Sequence, residues 1–352
     1  MGKKIVVGMS GGVDSSVAAY LLKKEGYDVI GVSMRMWCSK DAEDTHDVTE
    51  DARRVAEQLG IEFQVLDFQS EFRHAVMDYF AGEYLLGRTP NPCIACNRFI
   101  KWEALLKRAG ELGAEGIATG HYAKILQLDN GRYAVSRAKS TAKDQTYALY
   151  RLTQEQLKYT QMPLGEYEKD TIREIAKEIG LPVAEKKDSQ EICFIPDHDY
   201  VSFIKEHTGT KSIPGDFIST NGERMGTHAG IIHYTVGQRK GLGAFGRPVF
   251  VKEIRPQTNE VVLGSTDEVF EHELICDGLN CMAVEQFCEG DEVIAKIRYS
   301  HKGAPCILHP CGEDKLRVTF SEPQRAITPG QAVVFYRGDV VLGGGVICNR
   351  LR

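Results

Sequence analysis

The stretch IVVGMSGGVDSS at residues 5–16 decides the fold. Ile5, Val6 and Val7 form a short β-branched strand, Gly11 and Gly12 make a turn, and Asp14, Ser15 and Ser16 open a helix that Gly26 stops. Such a junction at the C-terminal edge of a parallel sheet aims backbone N–H groups and hydroxyls at one spot, which suits phosphate oxygens. The Gly-Lys-Ser/Thr ending of a Walker loop is missing, as is the G-x-G-x-x-G of a dinucleotide site. A γ-phosphoryl transferase is therefore disfavoured. The competing reading is a glycine-bearing strand-to-helix turn with caps and no ligand.

Outward from this loop, short β-branched runs at 5–9, 29–34, 62–66 and 116–119 alternate with helical stretches at 16–25, 50–59, 96–112, 169–179 and 199–207. That alternation predicts an α/β fold, a doubly wound parallel sheet covered by helices, with a hairpin turning at Asp129 to Gly131. Past about residue 205 the pattern changes to turns and alternating strands: 215–219 and 223–225 flank an Asn-Gly turn, and 248–254 is expected to pair with 261–264. From about Cys276 at least five strands follow, near 293–299, 306–309, 316–320, 332–336 and 340–347, a spacing suited to a small β-barrel. Three domains are expected: 1–205, 206–272 (small, mostly β) and 273–352 (the barrel).

Composition narrows the class. The chain has 352 residues, 43 Lys plus Arg against 49 Asp plus Glu, and a net charge of -6, so bulk charge alone does not hold a nucleic acid. No run of about 18 apolar residues occurs and the start has no leader pattern, so no membrane is expected. The opening Met-Gly lacks the hydroxyl residue of a myristoylation signal, since Val6 stands there. Ten cysteines without regular spacing are expected to be reduced, which points to the cytosol.

Three of those cysteines invite chemistry. Cys93 and Cys96 lie in TPNPCIACNRFIKW at 89–102, and Cys193 in DSQEICFIP at 188–196. The prolines forbid helix until the chain enters one near Cys96, where the helix N-terminus, Arg98 and Lys101 are expected to favour a thiolate. Cys96 is thus a candidate nucleophile. Zinc would need a second C-x-x-C or a spaced His pair; three thiolates could instead hold an iron–sulfur cluster; Cys193 alone could be a small core residue. The other seven, Cys38, Cys276, Cys281, Cys288, Cys306, Cys311 and Cys348, read as packing or surface residues. His121, His228 and His233 read as structural; Gln238, Arg239 and Lys240 lie in a glycine-rich loop, and Arg298, Tyr299 and Lys302 form a basic-aromatic group, each read either as a surface suited to RNA or as a solvated loop.

The string SGGxDS resembles the PP-loop of the ATP pyrophosphatases. Taken with TPNPxxxCN, ATGHY at 118–122, KDQ at 143–145, DSQEICFIP, HYTVGQRKGLG at 233–243, RYSH at 298–301 and SEPQRAITPGQ at 321–331, it resembles the tRNA-specific 2-thiouridylases from end to end. That resemblance implies that Gly8, Met9, Ser10, Gly11, Gly12, Val13, Asp14 and Ser15 hold ATP, with Met34 and Gly120 touching the nucleotide and Mg²⁺ as counter-charge. It implies that Cys193 carries a persulfide received from a sulfur-donor protein, and that Cys96 is its catalytic partner, able to form a disulfide with it. It further implies that Asn91, Pro92 and Cys93 meet the target base of the tRNA anticodon, and that Lys143, Asp144, Gln145, Arg298 and Tyr299 contact the tRNA. One departure stands out: many such relatives have Asp where this chain has Cys93.

The implied chemistry is coherent. Oxide is a poor leaving group from the uridine C2 carbon, adenylation of that oxygen makes AMP the leaving group, and the base must first be drawn from its stack. Two other classes share parts of the pattern: an ammonia-using PP-loop ligase, which needs neither Cys96 nor Cys193, and a cysteine-ligated iron–sulfur RNA-binding protein, which needs no ATP turnover.

Overall fold

The computed structural model describes residues 2–37, 48–186 and 192–349. It divides into two compact units. The first comprises Met1–Val76, Cys93–Phe194 and Gly338–Val341; the second comprises Met77–Pro92, Ile195–Arg337 and Leu342–Arg352. No helix among the described residues is long and apolar enough to cross a membrane.

The first unit is built on a parallel sheet. Its strands are β1 (Lys4–Gly8), β2 (Asp28–Arg35), β3 (Glu62–Asp67), β4 (Gly116–Ala118) and β7 (Thr160–Gln161), in the order β3-β2-β1-β4-β7. All four pairings are parallel, with Val6 opposite both Ile30 and Ile117. The chain winds outward from β1 to β3, then returns to lay β4 on the other flank of β1. Strand order therefore reverses between β1 and β4, and their C-terminal ends mark the crevice where open α/β sheets take ligands. The doubly wound fold is as expected. Its fifth strand was missed, because two residues carry no readable period. Between β4 and β7 lie the antiparallel β5 (Ala123–Gln127) and β6 (Tyr133–Arg137), the expected hairpin.

Helix α1 (Val13–Lys24) starts three residues before its expected position, because Gly12 in an extended conformation serves as its N-cap. Val17, Ala18, Leu21 and Leu22 pack with Ile5, Val7 and Met9 of the sheet and with Ile172 and Ala176 of the helix Lys169–Glu178. Helix α2 (Val48–Leu59) contributes Ala52 and Val55 to the same core. The helix expected at 96–112 is longer and irregular: an α-turn at Pro92–Ala95, a π-helical stretch at Cys96–Ala104, then α-helix at Leu105–Glu111. The helical turns at Gln69–Phe72, Arg73–Asp78 and Tyr79–Leu85 were not anticipated.

The second unit carries two β structures. Strands β8 (Gly215–Ser219), β9 (Arg224–His228), β10 (Phe250–Arg255) and β11 (Glu260–Gly264) form a sheet in the order β10-β11-β8-β9 around Phe217, Tyr234, Val251, Val261 and Leu263. The expected β10–β11 pairing is present, with Ile254 opposite Val261. Six further strands, β12 (Phe270–Cys281), β13 (Asp291–Lys296), β14 (Ala304–Gly312), β15 (Lys315–Arg325), β16 (Ala332–Arg337) and β17 (Val340–Asn349), close on themselves through β12–β17 contacts such as Cys276 opposite Ile347. Closure removes the unpaired edges that an open sheet of this size would expose.

Candidate active site

The loop after β1 sits at the crevice. Gly11 has φ +68°, a left-handed conformation open to glycine without a Cβ penalty, and Gly12 then caps α1 with no side-chain hydrogen bond. The first N–H groups of a helix have no intrahelical acceptor. Here they open on the C-terminal end of β1, an anion-binding arrangement. Inside the loop, the Ser10 N–H donates to Ser15 Oγ at 3.1 Å, and Ser15 and Ser16 donate their hydroxyls to the Gly12 carbonyl at 3.3 and 2.8 Å. Met9 and Val13 point into the core, so they present only backbone to the crevice.

From β4, Gly120 approaches α1 so closely that a Cβ there would lie 2.6 Å from Ser15 N and 2.7 Å from the Asp14 carbonyl carbon. From β2, Met34 Cε stands 3.4 Å from where a Gly8 Cβ would be, and Met36, two residues on, has its sulfur 3.9 Å from Cys96 Sγ. Two residues of extended chain span about 7 Å. The end of β2 and the residue after it thus touch both Gly8, at the start of the loop, and the buried thiol.

Sequence reasoning missed the charges around the loop. Lys169 Nζ donates to both oxygens of Asp14 at 2.8 Å, and the Tyr122 hydroxyl donates to Asp14 Oδ1 at 2.8 Å. Lys186 Nζ donates to the Gly11 carbonyl at 3.1 Å and to Asp51 Oδ2 at 2.7 Å. These lysines lie 155 and 175 positions beyond their partners, so no local motif announces them. His121 is buried against Trp102 with its Nδ1 2.8 Å from Thr119 Oγ1, and burial holds its pKa well below the usual value. It is structural, as expected. So is His228, which accepts from the Gly230 N–H at Nδ1 and donates from Nε2 to the Asn259 carbonyl.

The cysteine region corrects one expectation. Cys96 does not stand at a helix N-terminus: helix begins at Pro92, and Cys96 is already inside it. The side chain is 7% exposed, and burial pushes its thiol up to about 12, outweighing the lowering influence of Lys101. A favoured resting thiolate is therefore wrong for Cys96, because desolvation penalises the charged form more than one cation rewards it. Arg98, the other expected activator, is committed to the Arg151 carbonyl at 3.0 Å and Gln156 Oε1 at 3.2 Å. Beside Cys96, Asn97 donates to the Ala148 carbonyl, while its Oδ1 is buried with no partner among the described residues.

Cys93 and Cys193 are exposed. Even so, desolvation raises the pKa of Cys193, with Cys93 adding to the rise and Lys101 opposing it. Cys93 and Cys193 also raise the pKa of Cys96. Cys193, about a hundred positions further along the chain, is thus brought within electrostatic reach of Cys96, and Lys101 lowers the pKa of both. The π-helical winding explains its place: i to i+5 pairing sets Lys101 near the face of Cys96, whereas α winding would put it on the far side. Among the described residues no group of three or more His, Cys, Asp or Glu side chains is arranged to hold a metal. Cys38 and the DSQE portion at 188–191 lie outside the described residues.

The residues expected to meet tRNA are distributed over both units. In the first, Asp144 caps its own turn by accepting from the Thr146 N–H and hydroxyl, and Gln145 Oε1 accepts from the Tyr122 N–H at 2.8 Å. Both side chains hold structure. Lys143, next to them, is partly exposed. In the second unit Asn91 is half-buried and Pro92 buried, Arg298 Nη1 is anchored on the Arg325 carbonyl at 3.0 Å, and the Tyr299 ring is 50% exposed. Gln238 braces its loop through Thr235 and Lys240, leaving Arg239 and Lys240 exposed.

Comparison with known proteins identifies the lineage. Residues 3–197 match the family model described as a tRNA methyl transferase HUP domain, 201–265 that of a tRNA methyl transferase PRC-barrel domain, and 271–347 that of an aminomethyltransferase β-barrel domain. The tRNA-specific 2-thiouridylase MnmA of Lachnoclostridium phytofermentans is 60% identical, over 98% of this chain and 99% of that one. Those of Clostridioides difficile (52%, covering 99% of this chain and 98% of that one) and Clostridium perfringens (54%, 98% and 98%) are similar along the same length. On this evidence the chain belongs to the family of tRNA-specific 2-thiouridylases.

Proposed function

We propose that this tRNA 2-thiouridylase uses ATP to adenylate the C2 oxygen of the wobble uridine and then replaces that oxygen with sulfur carried on Cys193. The observation that carries the reading is that one unit holds both a helix-opening loop without side-chain caps and the three thiols, with Met34 against Gly8 and Met36 against Cys96. An anion site alone fits many ligases, and thiols alone fit a redox protein. Their presence in one unit fits sulfur transfer to an adenylated carbon.

The uridine C2 oxygen bonds to the α-phosphorus as the bond to pyrophosphate breaks, and the N3 proton passes to solvent. Residues Gly8 to Ser15 hold the phosphates through backbone N–H groups, with Met34 and Gly120 shaping the nucleotide side. Mg²⁺ arriving with the triphosphate would supply counter-charge to the leaving pyrophosphate. Sulfur then adds to C2 and AMP leaves. Two routes balance: Cys96 attacks the Cys193 persulfide, forming a Cys96–Cys193 disulfide and releasing sulfide to C2; or the terminal sulfur adds to C2 directly and Cys96 cleaves the resulting disulfide bond. Each leaves an oxidised cysteine pair, which an external thiol reduces.

The exposure of Cys193 suits loading by a persulfide-bearing donor protein, and the burial of Cys96 suits a thiol that acts only after its partner has been loaded. Asn91, Pro92 and Cys93 would meet the target base, and Lys143 to Gln145 with Arg298 and Tyr299 the remaining tRNA. On this reading 1–205 is the catalytic segment, 206–272 and 273–352 serve tRNA, and the enzyme works in the cytoplasm, where tRNA and reducing thiols are found. Purified protein given ATP, Mg²⁺, labelled sulfur donor and tRNA should release pyrophosphate and form 2-thiouridine, while Cys96→Ser and Cys193→Ser variants should not form it. Thiolation that proceeds without ATP, or survives in both variants, overturns the proposal.

A further inference from the structure

We infer that Lys169 is the phosphate-binding cation of this loop, supplied from elsewhere in the chain and held ready by Asp14 and Tyr122. This deepens the ATP reading and rests on it. The loop poses an electrostatic problem: residues 9–16 contain no lysine or arginine, yet they contain Asp14, whose carboxylate would repel a polyphosphate. The fold answers with Lys169. Its ammonium lies 2.8 Å from both Asp14 oxygens and 5.6 Å from the centre of the Tyr122 ring, whose hydroxyl binds the same carboxylate.

Burial and position argue that this pair is more than a surface ion pair. The Lys169 side chain is 10% exposed and that of Asp14 31%, so the lysine is the more deeply buried of the two. Lys169 is also the first residue of its helix, following the N-cap Glu168, where a cation faces the positive end of the helix dipole. A lysine in the first position of a helix runs against the usual placement of cations at helix C-termini, and a local rule broken in this way is expected where function demands it. Asp14 occupies the second position of α1, beside the uncapped N–H groups, so the ammonium it holds is already at the anion site. An arriving polyphosphate competes with Asp14 for Lys169 and gains a charge-assisted bond without drawing a flexible side chain out of solvent. Lys186, bound to the Gly11 carbonyl and Asp51, steadies the loop from its other end.

The test is calorimetric titration of the full chain with inorganic pyrophosphate, alongside ATP, with thermal melting as the check on folding. Lys169→Met should weaken pyrophosphate binding about ten- to a hundredfold, the range for a bond to a charged group. Lys169→Arg should recover most of it. The decisive variant is Asp14→Asn combined with Lys169→Met, which removes both charges together. If Lys169 serves the phosphates, the double variant melts like the parent and still binds pyrophosphate weakly. Restored binding in the double variant would mean that Lys169 only neutralises Asp14, and the inference falls. It falls equally if Lys169→Met alone binds like the parent. Failure of the parent chain to bind either ligand would instead overturn the ATP reading itself.

Discussion

At Cys96 two opposing effects meet. Removal of water disfavours the thiolate, Lys101 favours it, and the first prevails, leaving a thiol with its pKa pushed up to about 12. At neutral pH such a group is ionised to roughly one part in 10⁵, so it is inert until another event deprotonates it. Iodoacetamide at pH 7.5 should therefore modify Cys93 and Cys193, both exposed, well before Cys96, as peptide mass spectrometry would show. Early labelling of Cys96 would contradict its burial. Because Lys101 lowers the pKa of both Cys96 and Cys193, Lys101→Met should move the pH dependence of Cys193 alkylation to higher pH. An unchanged profile would remove Lys101 from the site. Near the loop, Gly120→Ala forces a methyl group against Ser15 and Asp14 backbone that cannot step aside. A stability loss of about 1–3 kcal/mol in urea is expected, with weaker nucleotide binding.

Secondary elements place these residues by unequal means. Helix α1 and strands β1, β2 and β4 are regular, and they set the loop, Met34 and Gly120 at the sheet's reversal point because parallel strands present all their C-terminal ends on one edge. The helix through Cys96 is irregular, and its irregularity matters: π winding over Cys96–Ala104 brings Lys101 round towards the thiols. Insertions of this kind often mark functional positions. An alanine inserted after Ile100 should shift Lys101 relative to Cys96 and reproduce the alkylation profile of Lys101→Met, while circular dichroism stays helical. Unaltered alkylation would show that the winding is incidental.

Across the whole chain, buried thiols couple stability to alkali. Besides Cys96, burial raises Cys306 to about 12 and Cys348 to about 11, and raises Cys276 further still, from an ordinary value of 9.0. Folding holds these groups protonated, so the native state binds more protons than the unfolded state wherever pH lies between the two pKa values. Stability should be intact below about pH 9 and fall steadily towards pH 12, seen as a declining melting temperature. His121 acts at the acid end: its lowered pKa means that folding favours the neutral ring, so stability falls as pH drops below 6.5. A melting temperature flat from pH 8 to 11 would contradict the burial of the thiols.

The sequence alone was enough to read the parallel α/β sheet, the phosphate loop, the hairpin after β4 and the strand-rich remainder, because each depends on residues close together in the chain: β-branched runs, glycines at turns, caps at helix starts. Spacing of the motifs was enough to suggest the family. Tertiary structure alone decided that Cys96 is buried and protonated, that Arg98 is committed to the Arg151 carbonyl, that Lys101 acts on both Cys96 and Cys193, and that Lys169 and Lys186 reach the loop from 155 and 175 positions away. Those outcomes follow from desolvation and from long-range approach. Neither leaves a mark on local residue order, since both are set by what the rest of the chain folds against each side chain.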